Sequence, residues 1–377
     1  MDLDLAPEHE LLRDTVRAFA NERVAPLAEE LDRESRFPTE LVAELAELGL
    51  MGIPIPDRFG GGGGDTLAYA LAIEELTRVD SSVAITVAAH TSLGTMPIFL
   101  FGSDEQKERW LPDLASGRRL AAFGLTEPDA GSDAGATRTS AELRDGDWVV
   151  NGSKMFITNA GTELTWGVTI TARTGEDEIS NIVVENGTPG YELSAPIHKL
   201  GWKASDTRAL TFTDCVVPED HLLGERGKGF VQFLEILDGG RISVAAMGVG
   251  LAQGAYELAL AYAKDRVQFG KPIGRFQAVS FRLADMAVEI AAGRQLVHRA
   301  AWLKDRGRPF ALEAAMAKLY TGELSHRVVN EALQIHGGYG YTDEFPISRL
   351  YRDQKILEIG EGTNDVQRMV IARQLGL

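Results

Sequence analysis

The order of helical and strand-like signals along the 377 residues constrains the fold more than any other feature of the sequence. Helical spacing dominates residues 1–122, short apolar runs with turn dipeptides follow in 123–225, and long helical periods fill 226–377. A doubly wound dinucleotide-binding fold would alternate strands with helices, so this order argues against one. The sequence predicts an α+β multidomain protein with an N-terminal α-helical domain, a middle β-barrel-like domain and a C-terminal four-helix bundle, divided at those boundaries.

Helix start signals support the first domain. Apolar residues recur at helical spacing between Glu8 and Leu31, Asp65 precedes another helical period, and Ser103 with Gln106 forms a capping-box pattern. The glycine run 60–64 lacks the lysine and the Ser or Thr of a P-loop, so we interpret it as a loop between helices.

Turn and helix signals differ between the two later domains. In the middle domain, the Asp145-Gly146 and Asn151-Gly152 dipeptides predict turns between short apolar runs. Helices are predicted near residues 230–265, 276–305, 310–335 and 363–375. The glycines at 248, 250 and 254 lie within the first of these helices and lack the spacing of a dinucleotide fingerprint, which favours close helix packing.

Charge and cysteine content narrow the class of protein. A formal net charge of −17 argues against a general nucleic-acid surface, because phosphate neutralisation needs clustered Lys and Arg. The one cysteine, Cys215, cannot form an intrachain disulfide or a cysteine metal cluster, and no metal site is predicted. We find no signal-peptide pattern and no uninterrupted apolar stretch of membrane-spanning length, so we expect a cytoplasmic protein without membrane insertion.

Two short segments carry the chemistry. Residues 123–133 (FGLTEPDAGSD) contain glycines, which let backbone amides approach a ligand closely. Residues 359–368 (IGEGTNDVQR) place Glu361 before a glycine and before Thr363, which begins the last helix. Taken alone, the first segment would be interpreted as an ordinary turn, and Glu361 would be interpreted as a solvent-exposed glutamate. Together, with three further motifs in order between them, they resemble the acyl-CoA dehydrogenase family over essentially the entire chain.

The resemblance implies an FAD-dependent enzyme that oxidises an acyl-CoA thioester to a trans-2-enoyl-CoA. Glu361 matches the family's base, which removes the α proton while the β hydride passes to flavin N5. In the family, the backbone N–H of this glutamate and a flavin hydroxyl hold the thioester oxygen. Burial against flavin would raise the proton affinity of this carboxylate. Some relatives place the base just before the arginine matching Arg241, but that residue here is Gly240, so Glu361 is the candidate.

The cofactor residues implied by the resemblance fall into two groups. The first holds the flavin within one subunit: Phe123, Leu125, Thr126, Gly131, Ser132, Phe156, Ile157, Thr158, Thr363 and Asp365. The second reaches the FAD of a neighbouring subunit: Arg266, Gln268, Phe269, Phe276, Gln277, Gln334, Ile335, Gly337 and Gly338. Contacts with the acyl-CoA substrate are implied for Ser132, Asp238, Arg241 and Gly362. The family resemblance further implies a homotetramer, built as a dimer of dimers, and an electron-transfer flavoprotein as partner.

Several alternatives stay open at this stage. An acyl-CoA oxidase or flavin monooxygenase would share the scaffold but react rapidly with oxygen after reduction. A non-catalytic relative that binds nucleic acid is disfavoured by the acidic charge and by Glu361. Residues 81–98 resemble the family's pocket-lining region and contain no Lys or Arg, which favours an uncharged acyl group over a dicarboxylic one. Gly360 replaces the family's common tyrosine, so chain length and branching stay undetermined.

Overall fold

Helices precede the sheet in the computed structural model, which describes residues 4–377. The helices are α1 (Pro7–Phe19), α2 (Ala28–Glu34), α3 (Thr39–Glu47), α4 (Thr66–Val79), α5 (Ser81–Ala88), α6 (Met96–Phe101) and α7 (Asp104–Ala115). The predicted helix starts are confirmed at α4, where Asp65 accepts a hydrogen bond from the Ala68 N–H (2.7 Å), and at α7, where Ser103 and Gln106 form a capping box. The period predicted from Glu8 to Leu31 is divided between α1 and α2 by a π-helical turn at Ala20–Val24. The glycine run 60–64 is a loop, as predicted.

The middle of the chain forms one sheet over an apolar core. Its strands are β1 (Leu120–Gly124), β2 (Ser140–Arg144), β3 (Asp147–Thr158), β4 (Thr165–Arg173), β5 (Ile179–Glu185), β6 (Tyr191–Leu193), β7 (Thr207–Pro218) and β8 (Leu222–Leu223). The order is β6-β7-β3-β2-β4-β5-β8, and β1 pairs with β4. Tyr191 and Leu222, from opposite ends of that order, pack on the same core, which also buries Cys215. The sheet thus wraps around its core in the barrel-like manner expected, beginning at Leu120, three residues before the predicted change.

One of the two predicted turns in the sheet is wrong. Asp145 and Gly146 join β2 to β3 with φ of 54° and 93°, as a tight hairpin turn requires. Asn151 and Gly152 instead lie inside β3, where the pairing with β7 shifts register. Gly152 has φ of 141°, and a Cβ there would lie 2.7 Å from the Thr139 Cα. The dipeptide therefore forms a bulge, because a bulge needs the same permissive backbone as a turn.

Long helices form the last third of the chain: α8 (Gly229–Asp265), α9 (Gln277–Asp305), α10 (Ala311–His336), α11 (Pro346–Asp353) and α12 (Asn364–Gln374). All four predicted helices are present, whereas α11 was not predicted. A short hairpin, β9 (Val267–Gln268) and β10 (Lys271–Pro272), separates α8 from α9. Helix α8 packs along α10 and α4, so the first and last thirds of the chain share one apolar core.

Glycines allow the close packing of α8, as predicted. A Cβ at Gly248 would lie 2.8 Å from the Thr321 carbonyl oxygen of α10. At Gly250 and Gly254 a Cβ would overlap the carbonyl oxygens of Glu74 and Arg78, both in the C-terminal half of α4. These contacts fix the distance between the helices that frame the site described below.

Neither Ser81–Phe101 nor Gly229–Asp265 is an uninterrupted apolar stretch, yet by length and overall composition each is long and apolar enough to cross a membrane. In the fold, 78% and 67% of their most apolar windows are buried inside the protein. Their apolar side chains therefore contribute to the core, a use that hydropathy cannot distinguish from a membrane span.

Candidate active site

The carboxyl group of Glu361 is buried and accepts no hydrogen bond from residues 4–377. The residue as a whole is half-buried, yet both carboxylate oxygens are shielded from solvent. Burial raises the pKa of this carboxyl to about 7, although the nearby charges of Lys318 and Arg241 oppose the shift. A carboxylate with free lone pairs and a pKa near neutrality is suited to act as a general base.

Helix α8 provides the room for that carboxyl. At Gly240 a Cβ atom would overlap Oε2 of Glu361 and lie 3.6 Å from Leu93. The next residue, Arg241, is buried and pairs with Asp238. Gly240, the position at which some relatives carry their base, is therefore adjacent to the Glu361 carboxyl.

An apolar cluster connects this region with the segment 123–133. The cluster contains Leu93, Phe123, Leu125, Phe233 and Ile236. The rings of Phe123 and Phe233 stack with their centroids 6.2 Å apart. Leu93 lies in the π-helical turn Ala89–Thr95 between α5 and α6, and it also borders the space at Gly240. The two segments that carried the resemblance thus border one apolar lining.

A buried lysine fixes the backbone of the segment 123–133. Lys154 Nζ donates to the Leu125 carbonyl (3.1 Å), to Glu127 Oε1 (2.8 Å) and to two threonine hydroxyls. Burial would raise the pKa of Glu127, but Lys154, a threonine hydroxyl and a backbone N–H together lower it to about 2. Burial lowers the pKa of Lys154 to about 8, so both partners are ionised at neutral pH.

Strand β3 presents Phe156 to solvent at a second bulge. Phe156 has φ of 63° and its ring is 62% exposed, whereas Ile157 is buried in the β core. The Met155 N–H donates to the Thr126 carbonyl (2.7 Å), so this part of β3 adjoins the segment 123–133. Within residues 4–377, neither the Thr126 nor the Thr158 hydroxyl takes part in a hydrogen bond.

The remaining residues of the first group lie in turns and at a helix start. Gly131 and Ser132 are exposed in the loop after β1. The Thr363 hydroxyl caps α12 by accepting a hydrogen bond from the Val366 N–H (3.1 Å). Asp365 is exposed in the first turn of that helix, where its carboxylate faces Arg368.

The residues predicted to reach a neighbouring subunit gather in a different place. Arg266, Gln268, Ile335, Gly337 and Gly338 line an open cleft of about 470 Å³. The β9–β10 hairpin turns at Phe269, whose ring is 93% exposed and meets Phe276 edge-on at 6.1 Å. Gln277 and Gln334 are exposed at the start of α9 and the end of α10.

Within one chain, this cleft lies far from Glu361. Lys318 on α10 bonds to the Gly362 carbonyl, and Ile335 follows seventeen residues later on the same helix. At 1.5 Å per residue these two positions are about 26 Å apart. The structure therefore brings the two predicted groups to two sites rather than one.

Three family models match nearly the whole chain. The acyl-CoA dehydrogenase N-terminal domain matches residues 6–118, the middle domain 122–215 and the C-terminal domain 227–376. The chain belongs to the acyl-CoA dehydrogenase family. It is 50% identical to probable acyl-CoA dehydrogenase YngJ of Bacillus subtilis and 44% identical to a short-chain specific acyl-CoA dehydrogenase of Clostridium acetobutylicum, each over the full length of both chains.

Solved structures agree with the family assignment. Butyryl-CoA dehydrogenase from Megasphaera elsdenii superposes with a TM-score of 0.97 at 43% identity, covering all of both chains. A chain from a structure described as an electron transferring flavoprotein of Acidaminococcus fermentans has a TM-score of 0.97 at 44% identity, over 100% of this chain and 99% of the other. An acyl-CoA dehydrogenase of Bacillus anthracis complexed with FAD has a TM-score of 0.94 at 36% identity, covering 99% of this chain and 67% of the other.

Acyl-CoA dehydrogenases are FAD-dependent flavoprotein oxidoreductases, and the residues of this chain fit the cofactor. Phe156 offers an exposed flat ring, and the Thr126 and Thr158 hydroxyls lack hydrogen-bond partners within residues 4–377. Arg266 adds a cation at the rim of the distant cleft, suited to a pyrophosphate. An aromatic surface, free hydroxyls and an arginine are the chemistry that a flavin dinucleotide requires.

Sequence reasoning missed three buried polar residues at this site: Lys154, Lys318 and Gln367. For the two lysines, the pattern indicated burial, although not the partners. Lys154 shares the inward face of β3 with Trp148 and Val150, and Lys318 shares the buried stripe of α10 with Ala314. A lysine at a core position is seldom tolerated without a partner, which marks such positions for scrutiny.

Proposed function

We propose that the chain catalyses the α,β-dehydrogenation of an uncharged acyl-CoA thioester, with Glu361 as the base that removes the α proton. The supporting observation is the buried carboxyl of Glu361, which has no hydrogen-bond donor among residues 4–377 and a pKa raised to about 7 by burial. A carboxylate left free in an apolar lining can accept a proton from carbon, whereas one held by donors would be a weaker base.

The chain supplies the proton acceptor and a donor for the thioester. Glu361 takes the α proton on a carboxylate oxygen. No acceptor within residues 4–377 occupies the Glu361 backbone N–H, so it is free to donate to the thioester oxygen as negative charge develops there. Arg241 and Lys318 place positive charge beside the pocket. When bound, FAD supplies the acceptor for the β hydride.

This role of Glu361 predicts an acidic limb in the pH profile. The rate constant for flavin reduction by butyryl-CoA should rise with pH and level off above about 7, because only the ionised carboxylate accepts the proton. Anaerobic stopped-flow absorbance between pH 5.5 and 9 measures it, with a substrate deuterated at the α and β carbons to verify that C–H cleavage limits the rate. A profile flat through this range would contradict the assignment.

The substrate is proposed to be a short, uncharged acyl-CoA. The pocket-lining region 81–98 has no Lys or Arg, and relatives similar over the full length are named short-chain specific or butyryl-CoA dehydrogenase. Comparing the anaerobic bleaching of flavin by butyryl-, isobutyryl-, isovaleryl-, octanoyl-, palmitoyl- and glutaryl-CoA tests this. The greatest kcat/KM should belong to one of the three shortest uncharged thioesters, and a preference for glutaryl-CoA would overturn the proposal.

An electron-transfer flavoprotein is the proposed electron acceptor. Support comes from the similar chain in a structure described as an electron transferring flavoprotein. The rival is an acyl-CoA oxidase or a flavin monooxygenase, and a prolyl acyl carrier protein oxidase is similar in fold at 32% identity. After reduction by butyryl-CoA, reoxidation should be slow in air-saturated buffer and fast with an electron-transfer flavoprotein. Rapid reoxidation in air would favour the rival.

We further propose that each FAD site is completed by a second copy of the chain, within a dimer of dimers. The roughly 26 Å between the Glu361 turn and the Gly337-Gly338 cleft, and the nearly full exposure of Phe269, support this arrangement.

Arg266→Ser should therefore weaken FAD binding without altering the fold. Loss of a charged contact to pyrophosphate predicts an increase of about 10- to 100-fold in the Kd for FAD. Flavin fluorescence titration measures it, with light scattering to monitor the oligomer. Arg275→Ser is the matched control, because Arg275 is exposed nearby but does not line the cleft. An equal effect of both substitutions would argue against a specific role for Arg266.

A further inference from the structure

Glu361 lies in a backbone turn that a glutamate rarely adopts. Its φ is 50°, in the left-handed region, and Gly362 follows with φ of 88°. A non-glycine residue in this region is strained, and such strain persists where surrounding contacts over-determine the conformation. The contacts that hold the two carbonyl groups of this turn are therefore informative about how the base is aimed.

Two fully buried side chains hold those carbonyls. Lys318 Nζ, from α10, donates to the Gly362 carbonyl (2.8 Å) and to Asn364 Oδ1 (3.1 Å). Gln367 Nε2, from α12, donates to the Gly362 carbonyl (3.0 Å) and to the Glu361 carbonyl (3.3 Å). Both side chains have 0% exposure. The turn is thus bound from two helices, through the backbone of the base and of its neighbour.

We propose that Lys318 and Gln367 form a carbonyl clamp that orients the Glu361 carboxylate toward the substrate, and that Lys318 is the buried positive charge beside this carboxylate. Both are positioning residues, since neither hydrogen-bonds to the carboxylate itself within residues 4–377. The inference deepens the proposed function and depends on Glu361 being the base.

The two members of the clamp differ in their electrostatic effect on Glu361, as the other charges around this residue show. Helix α8 contributes Arg241, whose charge is offset by its pairing with Asp238. Helix α10 contributes Lys318, whose hydrogen bonds within residues 4–377 all go to neutral oxygens, and α4 contributes the neutral Tyr69. Glu358 lies near Lys318 but already pairs with His326 and Lys355.

Lys318 is therefore the cation that acts on Glu361 with the least compensation. It is also the larger of the two influences that lower the pKa of Glu361 against burial. Burial lowers the pKa of Lys318 itself to about 8, which leaves the ammonium form predominant at pH 7. Gln367 holds the same carbonyl but carries no charge, so the two residues make different predictions.

The test compares Lys318→Met with Gln367→Met in the FAD-loaded protein. Both substitutions keep an unbranched side chain of similar reach and remove the donor. We expect both to lower the limiting rate of flavin reduction by butyryl-CoA by about 10-fold or more, as misplacement of a reacting group does, with little change in KM. Lys318→Met should also move the acidic limb of the pH profile upward by about 1 unit, as loss of a nearby opposite charge does. Gln367→Met should leave that limb in place.

Lys355→Met is the matched control, because Lys355 is a partly exposed lysine on the segment before the turn. It should leave the rate and the limb unchanged. Thermal unfolding of the FAD-loaded protein gives a second readout. The melting temperature should fall with rising pH until Glu361 is fully ionised, and the pH at which it stops falling should be higher in Lys318→Met than in the wild type.

Each outcome decides the inference. A wild-type rate in Gln367→Met, or a Lys318→Met limb at the wild-type pH, would overturn the clamp. If Lys318→Met fails to fold, Gln367→Met with a reduced rate at unchanged KM supports the positioning role, and Lys318→Arg, which retains the charge, should keep the wild-type limb. Failure of the clamp is distinguishable from failure of the proposed function, because only the latter would leave Glu361→Gln as active as the wild type.

Discussion

A Glu361→Gln variant should bind FAD and butyryl-CoA yet fail to bleach on mixing. Removal of a general base costs about 10²–10⁴-fold in rate, and within residues 4–377 the adjacent Gly240 offers no substitute. Anaerobic stopped-flow absorbance measures the loss. Glu361→Asp is the graded control, since it keeps a carboxylate but draws it back by about one methylene, and it should retain intermediate activity. Normal bleaching by the glutamine variant would remove Glu361 from its role.

The same substitution should stabilise the protein at alkaline pH. The folded-state pKa of Glu361 is about 7 against an ordinary value of 4.5, so the folded state loses stability as pH rises between these values, and the full penalty persists above 7. At 1.36 kcal/mol per pKa unit the penalty is about 3 kcal/mol. Glu361→Gln should therefore unfold at a higher temperature than the wild type at pH 8 but not at pH 4.5. Equal differences at both pH values would contradict the burial of an unpaired carboxyl.

Lys154→Met should be the most destabilising single change near the segment 123–133. It leaves Glu127 buried without its ammonium partner, and breaking a buried ion pair costs about 3–5 kcal/mol. It also releases the Leu125 carbonyl, so we expect FAD to be lost along with stability. Urea unfolding and the ratio of flavin to protein absorbance report the two effects.

The double variant Lys154→Met with Glu127→Gln separates charge from packing. Because it removes both charges, it should recover most of the stability lost in the single variant. FAD binding should recover less, since the Leu125 carbonyl stays without its donor. A single variant as stable as the wild type would show that the pair contributes little.

Periodicity predicted most of the fold because the apolar stripes here are long. The helices from Gly229 to His336 match their predicted bounds within one or two residues. Helix α11 was missed because eight residues give too short a period to recognise. The Asn151-Gly152 turn was wrong because left-handed and extended glycine conformations serve turns and bulges alike.

Motifs predicted the position of the proposed base, Glu361, but not the side chains that hold its backbone. Glu361 could be found from its local sequence, whereas Lys318 and Gln367 contribute through contacts between helices. Such contacts depend on the packing of α10 against α12, which no local pattern encodes. The separation of the two cofactor groups likewise required coordinates, since helix length and direction set the distance between them.

The glycine at 240 carries an implication for how this active site could change. A Cβ at this position would overlap Oε2 of Glu361, so any side chain there requires that carboxylate to move. A transfer of the acid from the loop to α8 would therefore change the aim of residue 361 at the same time as it changes residue 240.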